Sequence, residues 1–498
     1  MSAPRPTGLP AQSLRALAAL VGLPAPQRDA QVTGATLDSR AVRPGDLFAA
    51  LPGEHAHGAR FAAAAARAGA AAILTDEQGA AVIGSQLPVL VAASPRAVVG
   101  RLAAQIYGQP STHLSLIGVT GTNGKTTTAY LIEAGLAAGG YTTALLGTVE
   151  SRLAGERLPQ ARTTPEAPDL QAMLAVARQR GVQAGVMEVS SHALALGRVA
   201  GTRFAAGVFT NLSQDHLDFH GDLESYFAAK ASLFRAESVA TAVLCVDDAY
   251  GERLMEQVRV PHVTVSAGGL PWADWRAEDL RPDARGTGLR ALGPAGEDVA
   301  LRVPLPGAFN VANALTALAS LVAVGVDPLV AARGIAGLAG VPGRLERIDR
   351  GQAFTALVDY AHTPAAVATL LDTLRPLTAG RLVVVLGCGG DRDRAKRPLM
   401  ARAALAGSDL AVFTSDNPRS EDPAAVLADM TRDLAGSFVV QPDRAAAIAL
   451  AAAELGTGDT LVVAGKGHET GQDVRGVVTP FDDRLVLGEV ASARRVNA

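Results

Sequence analysis

The sequence predicts an α/β chain of three domains: a small N-terminal α/β domain, a central parallel-sheet domain of P-loop type, and a C-terminal domain with a second parallel sheet. Length is the first ground. At 498 residues the chain can build roughly three domains, each with its own core. Patterning is the second, because β-branched runs alternate with alanine- and leucine-rich stretches, as strands do with crossover helices. The third is position: polar clusters follow the apolar runs, and in open parallel sheets ligands sit beyond the carboxyl ends of strands.

Charge is nearly balanced, 45 Lys and Arg against 48 Asp and Glu, so no basic face announces nucleic acid. Cys245 and Cys388 are the only two cysteines. They indicate neither a disulfide framework nor a zinc site, which suits a reducing cytosol. Residues 14–23 imitate a signal segment, but Arg15 interrupts them and a short amphipathic helix is the better reading. No run reaches the roughly 20 apolar residues that span a bilayer. The expectation is a soluble cytoplasmic protein with no membrane insertion, and the alanine runs 61–72 and 443–455 are helices.

In the N-terminal domain, residues 1–107, Ala35-Thr36-Leu37-Asp38-Ser39-Arg40 and Arg43-Pro44-Gly45-Asp46-Leu47-Phe48 read as strand, polar turn, Pro-Gly turn and strand. Asp38-Ser39-Arg40 is either plain turn chemistry or a holder of phosphate or carboxylate. Glu54-His55-Ala56-His57-Gly58 follows, then a helix from Phe61. Gln109-Pro110-Ser111 reads as a linker.

The central domain, residues 108–340, opens with Leu116-Ile117-Gly118-Val119-Thr120 as a buried strand and continues into Gly121-Thr122-Asn123-Gly124-Lys125-Thr126-Thr127. A helix over 129–138 follows. Glycines let backbone N–H groups converge on phosphate, the helix N-terminus favours the anion and Lys125 adds a charge. Thr126 is placed for a magnesium ion. Val119 stands where the strict P-loop pattern has its first glycine, so the motif is Gly-x-x-Gly-Lys-Thr.

Two further strands end in polar clusters. Val182–Met187 leads into Glu188-Val189-Ser190-Ser191-His192, and Phe204–Phe209 leads into Thr210-Asn211-Leu212-Ser213-Gln214-Asp215-His216. All three clusters then share one crevice, where Glu188 and His216 are magnesium ligands or water holders; the alternative for His216 is a hydrogen-bonded loop residue. By spacing alone Lys230 is a helix-face lysine. Asn310 and Asn313 share one helical face and either cap the helix or read a base edge. The stretch beyond Thr241 carries no strong signal.

Residues 340–344, Gly-Val-Pro-Gly-Arg, read as a hinge into the C-terminal domain, 341–498. Four strand-helix units follow there. Their polar ends are Asp359-Tyr360-Ala361-His362, Gly387 to Asp393, Asp416-Asn417-Pro418-Arg419 and Gly465-Lys466-Gly467-His468-Glu469. Together they form the far wall of an interdomain cleft.

These segments, with Leu37 to Arg40, Thr163-Thr164-Pro165 and Glu188 to Leu194, resemble the Mur ligases of peptidoglycan synthesis over essentially the whole chain, and most closely the members that add the third stem-peptide residue. The resemblance implies a central ATPase domain, a Rossmann-like C-terminal domain, and ATP and Mg2+ as cofactors. It implies that Leu37, Ser39, Glu54, His55 and Ala56 hold the uridine nucleotide of the substrate. Gly121, Thr122, Asn123, Gly124, Lys125, Thr126 and Thr127 would hold ATP, with Asn310, Asn313, Arg344 and Asp359 at adenine and ribose. Thr126, Glu188, His216 and Lys230 would serve magnesium. Lys230 matches a lysine that the family carbamylates, which replaces its plain helix-face reading; Lys125, His216 and Lys230 are the implied catalytic residues. Thr163, Thr164, Ser190 and Arg198 would bind the muramoyl dipeptide.

Leu196 departs from the glutamine usual at its position, so one polar substrate contact is missing or supplied by water. Arg392, Asp416, Asn417, Arg419, Gly465 and Glu469 match the diaminopimelate pattern, with the arginines on the distal carboxylate and Glu469 on the distal ammonium. The implied reaction joins a diamino acid to UDP-N-acetylmuramoyl-L-alanyl-D-glutamate through an acyl phosphate, in a monomer. L-ornithine and L-lysine stay open as the amino acid. More remote alternatives are another Mur-type ligase, folylpolyglutamate synthetase, or a non-enzymatic P-loop switch.

Overall fold

The computed structural model describes residues 3–53, 56–83, 87–159, 162–283 and 286–494. Its strands fall mainly into three sheets, one in each successive part of the chain. In the first, Gly34–Thr36, Asp46–Ala49, Ala72–Thr75 and Val89–Val91 pair in parallel in chain order. Helices Leu14–Leu20 and Pro95–Ile106 bury Leu14, Leu17, Leu102 and Ile106 against it. The helix expected from Phe61 enters through a 3-10 turn, Gly58–Phe61, and runs as Ala62–Arg67.

Gln109-Pro110-Ser111 is not a loose linker. Pro110–His113 forms a 3-10 turn. Ser111 is buried, and its hydroxyl accepts the Arg203 N–H at 3.1 Å, which fastens the connection to the central sheet.

The central sheet has 11 strands. Ser115–Thr120 lies in its middle, parallel to Ala184–Glu188 on one side and Phe204–Phe209 on the other. Three polar clusters therefore issue side by side from one sheet end. Helix Lys125–Ala138 starts at the lysine, four residues earlier than its alanine and leucine content suggests, because Gly124 adopts φ 84° and turns the chain into it. The quiet stretch past Thr241 holds Trp275–Asp283, Gly286–Leu292 and Asp298–Val303; the first pairs in parallel with His262–Ser266, and each of the three runs antiparallel to the next. Asp298–Val303 alternates outward and inward side chains, and Trp275 is buried.

The third sheet places Thr355–Asp359, Thr460–Ala464, Leu382–Cys388 and Leu410–Ser415 side by side in parallel. Each is apolar along nearly its whole length, as strands covered on both faces must be. The last long strand inserts between the first two, so the clusters after Asp359 and Ala464 become neighbours. Beneath them Arg444 and Asp483 form a fully buried ion pair at 2.7 Å; the same guanidinium donates to the Ala464 carbonyl at 3.0 Å. No helix among the described residues is long and apolar enough to cross a membrane.

Candidate active site

The phosphate turn is built by contacts that tolerate only its own residues. At Gly121 (φ 150°) a Cβ would stand 1.9 Å from the Thr210 hydroxyl, and at Gly124 (φ 84°) 2.2 Å from Asn313 Oδ1. Asn211 clamps the turn, accepting the Asn123 N–H at 2.9 Å and donating to the Asn123 carbonyl at 3.0 Å. Lys125 and Lys230 both donate to the Gly121 carbonyl, at 2.8 and 2.7 Å.

Burial lowers the pKa of Lys125 and pushes that of Lys230 well below the usual lysine value; for Lys230 the neighbouring Lys125 charge adds to the effect. Lys230 also lies over the Tyr226 ring, 4.5 Å from its centroid. Tyr226 in turn hydrogen-bonds the Thr122 hydroxyl at 3.1 Å.

Opposite the turn sits Glu188. Its carboxylate accepts the Thr126 hydroxyl at 3.1 Å, the Thr148 hydroxyl at 2.9 Å and the Thr148 N–H at 2.6 Å. Arg344, at the end of the hinge, reaches back to donate to the Thr126 hydroxyl at 3.1 Å while its guanidinium lies 4.4 Å from the Tyr360 ring centroid. Asp359 anchors the hinge by accepting the N–H groups of Leu345 (2.7 Å) and Ala361 (2.8 Å).

Asn310 and Asn313 are buried and joined at 3.1 Å. Neither caps the helix Ala308–Ala323, whose N-cap is Gly307. Asn310 donates instead to the Pro306 carbonyl at 2.7 Å, and Asn313 packs on the turn.

A cleft of about 610 Å³ is lined by Thr122 to Thr127, Thr163, Glu188, Ser190, His216, Lys230, Asn310, Asn313, Arg344 and Asp359. His216 takes a left-handed backbone (φ 54°) at the N-terminus of the Leu217–His220 turn, with its ring edge-on to His192 at 4.7 Å. Burial, more than the neighbouring charges, holds its imidazole down at about 4, so it is neutral at pH 7.

Most of the other expected residues that the structure describes lie outside this cleft, Ser190 being on its wall. Leu37 packs on the N-terminal core, Ser39 and Ala56 are half-buried, and Asp38 pairs with Arg40 on the surface. That pair is turn chemistry and is worth little. Glu54 and His55 lie outside the described residues. Thr164 donates to the Glu188 carbonyl at 2.9 Å, and Ser190 caps the Ser191–Ala195 helix. Arg198 lies 2.9 Å from Glu166, which Arg96 and Arg162 also approach, so three arginines face one carboxylate. At Leu196 only the backbone is used: its carbonyl accepts from Arg96 at 3.3 Å.

The C-terminal residues form a second polar cluster around Lys466, whose ammonium is completely buried. It donates to Asn417 Oδ1 (3.1 Å), Glu469 (3.1 Å) and the Gly471 carbonyl (2.7 Å). The Asn417 amide donates to Glu469 at 2.7 Å. Asp416 is buried, and one of its oxygens would lie 2.8 Å from a Cβ on Gly465. Arg419 (φ 52°) donates to the Gly390 carbonyl at 2.6 Å, and Arg392 is exposed.

Thr148 and Tyr226 carry contacts that motif reading did not single out, and Asn211, quoted within a cluster, had no role of its own. Thr148 had a usable signal: strand Thr143–Leu146 ends in Gly147-Thr148, the same apolar run followed by small polar residues.

Three family models match the chain: Mur ligase family, catalytic domain, over residues 31–107; Mur ligase middle domain over 119–321; and Mur ligase, glutamate ligase domain over 343–467. The chain belongs to the Mur ligase family. A UDP-N-acetylmuramoyl-L-alanyl-D-glutamate--2,6-diaminopimelate ligase of Streptomyces avermitilis is 55% identical, covering 98% of this chain and 97% of that protein. One of the same name from Corynebacterium glutamicum is 50% identical over 90% and 89%. A solved structure of a ligase with that name aligns with a TM-score of 0.67 at 35% identity, covering 93% of this chain and 95% of its own. MurF of Thermotoga maritima, at 19% identity and a TM-score of 0.64, shares the Mur ligase fold. The three-sheet architecture is thus that of the family.

Proposed function

We propose that the chain is an ATP-dependent ligase that joins meso-2,6-diaminopimelate to the D-glutamate carboxylate of UDP-N-acetylmuramoyl-L-alanyl-D-glutamate. The observation that carries it is the pairing of two polar walls. A phosphate turn with Lys125, Thr126 and Glu188 stands on the central sheet, and the Asn417-Lys466-Glu469 cluster stands on the C-terminal sheet, with the Arg344 hinge between. The near full-length relatives named for this reaction support the same substrates.

The glycine turn and Lys125 hold the ATP phosphates while the D-glutamate carboxylate attacks the γ-phosphorus. An acyl phosphate forms and ADP leaves. The neutral amine of the amino acid then attacks the acyl carbon, the amide forms, and inorganic phosphate departs with the amine proton passing to solvent or a nearby base. Neither step uses an enzyme nucleophile, which matches a site of cations and backbone N–H groups.

Magnesium suits the donors present. Thr126 and Glu188 offer hard oxygen atoms at 3.1 Å from each other. The described residues contain no group of three or more His, Cys, Asp or Glu that could hold an ion by itself, as expected for an ion shared with substrate phosphates. When bound, it supplies neutralisation of phosphate charge. The Lys230 amine is not itself such a donor. Burial pushes its pKa well down and so favours the neutral amine, which can add CO2 with loss of a proton to give a carbamate oxygen anion.

Arg198, paired with Glu166, together with Thr163 and the hydrogen-bonded Thr164 and Ser190, supports a place for the muramoyl dipeptide, and Ser39 with Ala56 supports the uridine end. Arg392 and Arg419 suit a distal carboxylate and Glu469 a distal ammonium. Lysine or ornithine would leave those arginines without an anion. The reading includes action as a monomer, and ATP with a UDP-linked precursor as substrates supports a cytoplasmic site.

The direct test is mass spectrometry of the nucleotide product after incubation with ATP, Mg2+, the UDP-dipeptide and diaminopimelate. A product heavier by one diaminopimelate residue supports the reading; unchanged UDP-dipeptide beside ADP formation contradicts it.

A further inference from the structure

We propose that the hairpin Gly471–Pro480 sets the amino-acid selectivity of the C-terminal wall by fixing the backbone of Asp416–Arg419, with Gln472 as its positioning residue. The inference rests on the ligase reading above and concerns the selectivity of that same site.

The hairpin stands apart from the three large sheets. Gly471–Val474 and Val477–Pro480 form a two-stranded antiparallel sheet of their own. The turn residues Arg475 and Gly476 have φ 54° and 78°, the positive values that a two-residue hairpin loop needs. Two strands alone are marginal in water, and here the outer one is open to solvent, with Val477 and Val478 64% and 66% exposed. No residue of the hairpin belongs to the hydrophobic cores of the C-terminal domain. The inner strand is held instead by the loop that follows strand Leu410–Ser415.

The contacts run along that loop in order. The Gln472 amide donates to the Asp416 carbonyl at 2.7 Å, and the Asp473 N–H donates to Asn417 Oδ1 at 3.0 Å. The Arg419 N–H donates to the Asp473 carbonyl at 2.9 Å, and its own carbonyl accepts the Arg475 N–H at 2.6 Å. At the other end of the strand the buried Lys466 ammonium donates to the Gly471 carbonyl at 2.7 Å.

These bonds orient two side chains. Asn417 Oδ1 accepts from both Lys466 and the Asp473 N–H, which leaves the amide nitrogen to face Glu469 at 2.7 Å. Arg419 has a left-handed backbone (φ 52°), costly for a residue with a Cβ, and it is kept there because the hairpin satisfies both its N–H and its carbonyl. Its guanidinium then reaches the Gly390 carbonyl at 2.6 Å. The loop has no room to slide, since a Cβ on Gly390 would lie 1.9 Å from the Pro418 carbonyl. The hairpin thus aims the arginine that suits a distal carboxylate and the pair that suits a distal ammonium. Gln472 reaches a backbone carbonyl and is not among the residues lining the cleft, so it acts through the loop. Diaminopimelate differs from lysine by its distal carboxylate, so a displaced Arg419 penalises diaminopimelate and leaves lysine nearly as it was.

The test is Gln472→Met in the full chain, a side chain of similar length without the donor. Readouts are melting temperature, KM values for ATP, UDP-dipeptide and diaminopimelate, and kcat/KM for diaminopimelate against lysine. A second arm is calorimetric titration of diaminopimelate with the UDP-dipeptide and a non-hydrolysable ATP analogue present. The expected results are a KM for diaminopimelate raised roughly fivefold or more, KM values for ATP and UDP-dipeptide within about twofold of the parent, and a preference for diaminopimelate over lysine narrowed by roughly the same factor. A merely structural role would move the three KM values together and leave the preference unchanged, and that result would overturn the inference. An unchanged KM for diaminopimelate would overturn it as well. If the parent protein makes no product, the ligase reading falls instead. The titration still decides the role of Gln472: weaker diaminopimelate binding in Gln472→Met supports it, and affinity equal to the parent's, or no binding to either protein, overturns it.

Discussion

Lys125 and Lys230, 105 positions apart in the chain, place their amines on the same acceptor, the Gly121 carbonyl, at 2.8 and 2.7 Å. Burial, and after it the Lys125 charge, pushes the Lys230 pKa well below the usual lysine value, which favours the neutral amine that carbamylation needs. Lys230→Ala is expected to lower phosphate release by at least about a hundredfold, and added short carboxylic acids should restore part of it. Absence of any restoration across a concentration series, in a folded variant, would count against the carbamate.

Gly124 combines φ 84° with an approach that puts a Cβ 2.2 Å from Asn313 Oδ1. A left-handed non-glycine residue costs about 1–2 kcal/mol before any clash. Gly124→Ala should therefore weaken ATP binding by more than roughly tenfold and lower the melting temperature by several degrees, since the folded state carries the strain. Calorimetry with ATP measures this. Affinity equal to the parent's would mean that the turn does not hold phosphate in the geometry described.

Arg419→Ala should raise the KM for diaminopimelate by roughly tenfold or more and leave the KM for ATP within about twofold. Its guanidinium donates to Gly390 on the C-terminal wall, away from the phosphate turn. Equal losses for both substrates in steady-state assays would assign Arg419 to structure.

Arg444 and Asp483 are fully buried with their charges paired at 2.7 Å. Asp483→Ala strands a cation beneath the third sheet, and breaking a buried pair from one side costs about 3–5 kcal/mol. Urea unfolding followed by circular dichroism should show that loss. A change below about 1 kcal/mol would mean that water or another group reaches Arg444.

Burial first, and then the Arg344 charge, holds the His468 imidazole at about 4, against 6.5 for a free one. Between those values the unfolded chain binds a proton that the folded chain refuses, so stability is full above about 6.5 and falls as the pH drops towards 4. Denaturant titrations across that window should show a shallower fall for His468→Gln. Superimposable pH profiles would contradict the shift.

The phosphate turn was legible because its chemistry is local: strand, glycines, Lys125 and Thr126 are consecutive. The order of the polar clusters was legible too, since each one ends an apolar run. Partners joined by tertiary structure were not. Thr148 reads as one threonine after a strand, and only the sheet order, which sets Thr143–Leu146 beside Ala184–Glu188, brings it to Glu188. Lys230 reads as a helix-face residue because nothing in its own helix shows that the Gly121 carbonyl lies above it. The antiparallel strands beyond Thr241 were hidden by exposed charge along Trp275–Asp283, where only the first residues are buried. Ser111 reads as linker because its partner, the Arg203 N–H, is 92 residues away.

The most direct test of the central claim is phosphate release from ATP, measured with the UDP-dipeptide and, in parallel, diaminopimelate, lysine, ornithine or no amino acid. The account predicts sustained release only when the UDP-dipeptide and diaminopimelate are both present, with lysine and ornithine at least roughly tenfold poorer in kcat/KM. Release that continues without either substrate, or that is fastest with lysine or ornithine, would contradict it.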